Sequence, residues 1–153
     1  MINSFNNYLK QGKAKRKTPD LEEAKALLKQ AQERIIYIKH NKITTTTAKF
    51  ILEDAYEAIR ESAQALMSIK GFKPYSHEAT ISFIQDHHKE FNKQETNLLN
   101  HFRVLRNNSI YRAQPILEQD AIQALELAKQ FTKKTQRIIL RNTAVASCDA
   151  FSS

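Results

Sequence analysis

Apolar residues recur along the chain at alternating steps of three and four, the spacing of helices that bury one face. Leu21, Ala24, Leu28, Ala31, Ile35 and Ile38 form the first such stripe. Thr18 as N-cap, Pro19 where a missing N–H costs nothing, and Asp20, Glu22 and Glu23 against the positive end of the dipole mark its start. The β-branched run Thr44–Thr47 suits a loop and cap, and from Ala48 to about Ile69 a second stripe runs through Ile51, Leu52, Ala55, Ile59, Ala63 and Leu66. Gly71 and Pro74 end that helix, and Ser76 opens a third in which Ile81, Ile84, His88 and Phe91 share a side. Asn92-Lys93-Gln94-Glu95 spells an asparagine version of the capping box, starting a fourth helix with Leu98, Phe102, Leu105 and Ser109 on its apolar side. Pro115 opens a fifth, where Ala121, Ala124, Ala128, Phe131, Thr135 and Ile138 repeat the three-four spacing.

Five helices with short connectors predict an all-α fold, an up-and-down bundle of about five helices. Residues 1–141 are expected to form this one domain, with 142–153 a loosely ordered C-terminal tail. Composition narrows the choice from the other side. Two glycines in 153 residues cannot supply the repeated positive-φ turns of a sandwich or barrel, or a glycine-rich phosphate loop. The lone Cys148 permits no internal disulfide and no cysteine metal cluster, which suits a reducing compartment. No apolar stretch reaches signal-peptide length near the N-terminus or the roughly 20 residues that span a bilayer, so a soluble, cytoplasmic protein without a membrane partner is expected.

Charge adds position rather than amount. The net of +8 is concentrated in Lys10, Lys13, Lys15, Arg16 and Lys17 near the start and in Lys129, Lys133, Lys134, Arg137 and Arg141 of the fifth helix. Cations near a helix C-terminus complement its dipole, so the second cluster has a structural reading beside a phosphate-attracting one. A third group is compact: His101-Phe102-Arg103-Val104-Leu105-Arg106-Asn107-Asn108-Ser109-Ile110-Tyr111-Arg112, in an interval without any acid between Glu95 and Glu118. Arginine offers a fork of donors to phosphate oxygens, asparagine bonds a base edge or the backbone, and tyrosine supplies a hydroxyl and a stacking face. The structural alternative pairs Arg106 with an acid of the second helix, such as Glu53, Asp54 or Glu57. The five histidines form no His-x-x-x-His or Glu-x-x-His set, so no metal site and no cofactor are expected. His77 reads as a first-turn or loop residue, His88 as a satisfied core imidazole and His101 as a surface or interface residue.

The chain resembles a HEPN domain over roughly residues 5–135. The resemblance is carried by Tyr8-Leu9-Lys10-Gln11-Gly12, the Asp20–Ile38 helix, Asp54-Ala55-Tyr56-Glu57-Ala58-Ile59-Arg60, Gly71-Phe72, Ser76-His77-Glu78-Ala79, Leu105-Arg106-Asn107 with Tyr111, and Ala124-Leu125-Glu126-Leu127-Ala128, in that order. It implies a helical bundle that forms a homodimer, its Arg-Asn segment facing a cleft between subunits. Many HEPN domains are metal-independent ribonucleases that use an Arg and, four to six residues on, a His; others are non-catalytic partners of small nucleotidyltransferases, often in toxin–antitoxin pairs. Arg106 matches the Arg and Asn107 the Asn that commonly follows it. After four intervening residues stands Tyr111 instead of the His.

That departure has a physical consequence. Histidine takes a 2′-hydroxyl proton near neutral pH because its ordinary pKa is about 6.5, whereas tyrosine, near 10, is a poor base. Arg106 can still hold phosphate, and Tyr111 can donate or stack. Five helical positions are about 140° apart, so the two are expected to meet only where the weak helix formers Asn107, Asn108 and Ser109 end or bend the helix. The reading with most support is an RNA- or nucleotide-binding HEPN module, partner of a nucleotidyltransferase or a toxin–antitoxin component, without efficient catalysis. Arg103, Asn107 and Arg112 are its expected binding residues beside Arg106 and Tyr111. The alternatives are a metal-independent endoribonuclease toxin using Arg106 and Tyr111, and a structural dimeric interaction protein.

Overall fold

The computed structural model describes residues 2–152, with side chains through Val145. Among the described residues are α1 (Phe5–Lys10), β1 (Ala14–Arg16), α2 (Leu21–Lys39), α3 (Ala48–Lys70), β2 (Phe72–Pro74), α4 (His77–His87), α5 (Lys93–Arg112) and α6 (Glu118–Ser152). The fold is an all-α bundle, and α2 to α6 are the five helices that the periodicity predicts. The segment from Asn142, expected as a loosely ordered tail, continues α6.

Helix α3 is the hub, packed against α2, α4, α5 and α6, while α2 also meets α6. Alanines make this crowding possible: Ala24, Ala31, Ala55, Ala58, Ala63, Ala121, Ala124 and Ala128 are fully buried where helices approach. Larger side chains, among them Leu52, Ile59, Leu66, Phe102 and Phe131, fill the remaining space. Burial at roughly 25 cal/mol per Å² of apolar surface is what holds such a bundle together.

Local chemistry explains the helix ends. The N-cap of α2 is Asp20, whose carboxylate accepts from the Glu23 N–H at 2.9 Å, rather than Thr18. Asp20 is drawn in because its own N–H donates to the Ser68 carbonyl at 3.0 Å, tying the helix start to α3. Ser76 caps α4, Asn92 and Glu95 close the capping box of α5, and Gly71 ends α3 at φ 82°. His88 and Phe91 lie beyond the end of α4 rather than on it, yet both are buried.

Three elements have no counterpart in the helical periodicity. Helix α1 is pinned by the Phe5 N–H donating to Asp86 at 2.8 Å, with the Phe5 ring edge-on to Phe72 and Phe83. Strands β1 and β2 form an antiparallel pair in the register Ala14↔Pro74, Lys15↔Lys73 and Arg16↔Phe72. Gly71 enters this pair with a left-handed backbone, and a Cβ there would stand 2.7 Å from the Lys17 carbonyl oxygen, so neither its conformation nor its space admits a side chain. The sheet delivers the chain from α3 to Ser76, and so sets where α4 begins.

Candidate functional site

Four of the eight arginines, Arg34, Arg60, Arg103 and Arg141, pair with carboxylates. Arg34 bridges α2 to α3, donating to Asp54 at 2.9 Å and to the buried Glu61 at 2.8 Å, with Gln30 adding a third donor to Glu61. Arg60 pairs with Glu57 one turn away on α3. Burial alone would raise the Glu57 carboxyl, but the hydrogen bond and charge of Arg60 outweigh it and leave Glu57 below its ordinary value. Arg103 of α5 donates to Glu78 of α4 at 2.9 Å.

Arg106 differs. Among the described residues it forms no ion pair, so the expected partners Glu53, Asp54 and Glu57 do not hold it. Its guanidinium donates only to the neighbouring Asn107 side chain at 3.3 Å and lies 5.8 Å from the centre of the Tyr56 ring. Side chains of Arg103, Arg106, Asn107 and Tyr111 line a cleft of about 250 Å³ together with Ser76, His77 and Glu78 from the start of α4. Larger hollows lie beside β1 and between α2 and α6. Neither is lined by a histidine.

The meeting of Arg106 and Tyr111 needs no bend. Helix α5 continues to Arg112, and Arg103, Asn107 and Tyr111 recur every four residues along it, with Arg106 flanking that stripe. The expectation of a break near Asn108 is therefore corrected: the spacing of the wider set already brings both side chains to the cleft. Arg112 is exposed and stands outside it, and Tyr111 is 77% exposed at its mouth.

His77 joins the site without having been singled out for it. As the first residue of α4 it is placed by the Ser76 cap, and its Nδ1 lies 2.8 Å from the hydroxyl of Tyr56, a residue 2% exposed on α3. Burial pushes the Tyr56 hydroxyl above the ordinary phenol range, so it keeps its proton. A buried hydroxyl needs an acceptor, and Nδ1 is its partner; Tyr56 therefore donates, and the neutral ring carries its proton on Nε2. Burial first, then the positive charges of Arg106 and Arg60, hold the His77 pKa below its ordinary value. The cleft thus presents a free guanidinium and a neutral imidazole with an N–H to share. An oxyanion fits that set of donors.

The other histidines are elsewhere. His101 is exposed on α5, and His88 is buried with Nδ1 3.7 Å from Glu90 and Nε2 without a hydrogen-bond partner, so it is not the fully satisfied imidazole expected. Among the described residues no group of three His, Cys, Asp or Glu side chains is placed to hold a metal ion, and no helix is long and apolar enough to cross a membrane. The chain matches no protein-family model, and no curated protein matches it in sequence.

Proposed function

We propose that the protein binds RNA or nucleotide phosphate through the Arg106 cleft, as a HEPN-type module without efficient catalysis. The carrying observation is that Arg106, without an ion-pair partner among the described residues, is held against Tyr56 in a concave site beside the donors of His77, Asn107 and Tyr111. A guanidinium that has lost part of its hydration and gained no counterion is a site for an external anion. Arg103 shares its charge with Glu78 and is a weaker contributor, and Arg112 stands outside the cleft.

A second reading, metal-independent RNA cleavage, draws support from His77. An imidazole in the same cleft as Arg106 supplies the residue type that Tyr111 does not, although the Tyr56 bond leaves a proton on Nε2 and disfavours it as the initial base. The lone Cys148 suits a cytoplasmic location, and the resemblance further supports a homodimer and pairing with a small nucleotidyltransferase. Light scattering on the purified protein tests the homodimer, and co-purification with a nucleotidyltransferase, where one is encoded beside it, tests the pairing.

The deciding experiment incubates single-stranded RNA with the protein in EDTA. Binding that Arg106→Ala abolishes, with the RNA intact, is the expected result. Cleavage that disappears in both Arg106→Ala and His77→Ala selects the second reading. Absence of binding at low salt overturns both.

A further inference from the structure

The β1–β2 pair carries an unusual outward face. Residues two apart on a strand point the same way, roughly 6.8 Å from one another, so Lys13, Lys15 and Lys17 share a side. The register sets Lys73 directly opposite Lys15, and the Tyr75 N–H bonds the Lys13 carbonyl at 2.8 Å, placing Tyr75 opposite Lys13. Lys17 is neutralised by Glu23, but among the described residues Lys13, Lys15 and Lys73 have no ion pair. Like charges directly opposed across a strand pair weaken it, and here they do so in the smallest sheet possible.

Two of these lysines are instead gathered about one aromatic ring, while Lys13 lies over Tyr8. The ammonium groups of Lys15 and Lys73 lie 5.5 and 5.6 Å from the centre of the Tyr75 ring, which is 56% exposed. Beside Lys15, a hollow of about 490 Å³ is lined by Asn6, Leu9, Lys10 and Arg16. Tyr75 immediately precedes Ser76 and His77, which line the Arg106 cleft, so the basic face and the cleft are joined along the chain. Cations along an extended backbone with an exposed ring between them are the parts of a single-strand binding surface: charge tracks phosphates and the ring stacks a base.

We propose that the outward face of β1–β2, with Lys13, Lys15, Lys73 and Tyr75, is a track for single-stranded RNA leading into the Arg106 cleft. This rests on the reading of the cleft as a phosphate site and specifies its ligand: a strand several nucleotides long rather than a mononucleotide. Regular duplex presents stacked bases that a lone exposed ring cannot enter, so the strand must be open.

The test uses the full chain, labelled dodecauridine followed by fluorescence anisotropy, and the dinucleotide UpU followed by NMR. The double variant Lys15→Gln/Lys73→Gln is expected to weaken dodecauridine binding at least ~10-fold and to reduce the slope of log K against log salt by about 1.4, two contacts at ~0.7 each. Tyr75→Ala is expected to cost roughly 10-fold and Tyr75→Phe to restore binding, because the ring and not the hydroxyl stacks. UpU binding is expected to survive these changes and to be lost in Arg106→Ala. Loss of dodecauridine binding in Arg106→Ala, with no effect of the sheet variants, overturns the track and leaves the cleft reading standing. Loss in the sheet variants with none in Arg106→Ala overturns the cleft reading on which it rests. Displacement of the RNA by poly-glutamate of equal charge overturns the assignment to RNA in favour of an acidic polypeptide.

Discussion

Two arginines of similar burial occupy opposite situations, and replacing each by alanine separates fold from function. Arg34→Ala strips the 2%-exposed Glu61 of donors at 2.8 and 3.3 Å and leaves it Gln30 at 3.0 Å, while Asp54 loses its donor at 2.9 Å. Breaking a buried pair from one side costs about 3–5 kcal/mol, and the lower figure applies because Arg34 itself is partly solvated. At roughly 2–4 °C per kcal/mol for a chain of this size, the melting temperature falls by about 6–12 °C. Arg106→Ala removes a contact with the Tyr56 ring worth about 0.5–1 kcal/mol and also relieves its crowding with Arg103, so the two effects oppose one another. Its melting temperature is expected within about 3 °C of the parent. Thermal unfolding followed by circular dichroism reads both. Added single-stranded RNA is expected to raise the midpoint of the parent and of Arg34→Ala but not of Arg106→Ala, since only a folded state with an intact site gains from ligand. A loss in Arg106→Ala as large as that in Arg34→Ala refutes the argument, for it makes Arg106 a structural residue.

Stability should also depend on pH through His77 and His88, both held below the ordinary imidazole value, first by burial. A depressed histidine binds its proton more readily when unfolded, so its contribution is complete above about pH 6.5 and is lost as the pH falls toward the folded-state value. Urea midpoints are expected to drop between about pH 7.5 and 5.5, less steeply in His77→Gln; a rise over that range contradicts the assignment. Gly71→Ala combines a left-handed φ of 82° with a Cβ 2.7 Å from the Lys17 carbonyl oxygen, whereas Gly12→Ala meets a φ of 72° with nothing within 4 Å. The first should cost more than 2 kcal/mol and the second about 1–2, the left-handed penalty alone; equal losses would show that the Lys17 contact does not matter.

The helical framework was written in the sequence where the pattern was local and repeated. Ala24, Leu28, Ala31, Ile35 and Ile38 are all buried, as are the six residues of the second stripe and the six of the fifth. The fourth stripe was displaced by a step: Leu99 and Phe102 are buried while Leu98 and Leu105 are only partly so. The cause is that α5 meets the core mainly through its first half, and its polar second half lines the cleft. Strands β1 and β2 escaped notice because three residues are too few for alternation to stand out, and the lysines of β1 read simply as a basic run. His77 was missed for a different reason. Nothing local links it to Arg106; the fold brings them together through Tyr56, on a third helix, which touches both, and through the Arg103–Glu78 pair. The histidine directly after a helix cap and the tyrosine in the Asp54–Arg60 segment were the available signals, and neither points to the other without the fold.

The Arg103–Glu78 pair gives the cleft a valence. Two guanidinium charges less one carboxylate leave a single positive charge while His77 stays neutral. An internal phosphodiester carries one negative charge and cancels it. A terminal phosphate, with a second pKa near 6, carries close to two at neutral pH and leaves one unbalanced unless His77 takes up a proton. On the proposed reading the charge of the site therefore matches that of the middle of an RNA strand, whereas a Glu78→Gln site, with two positive charges, would match that of a phosphorylated end.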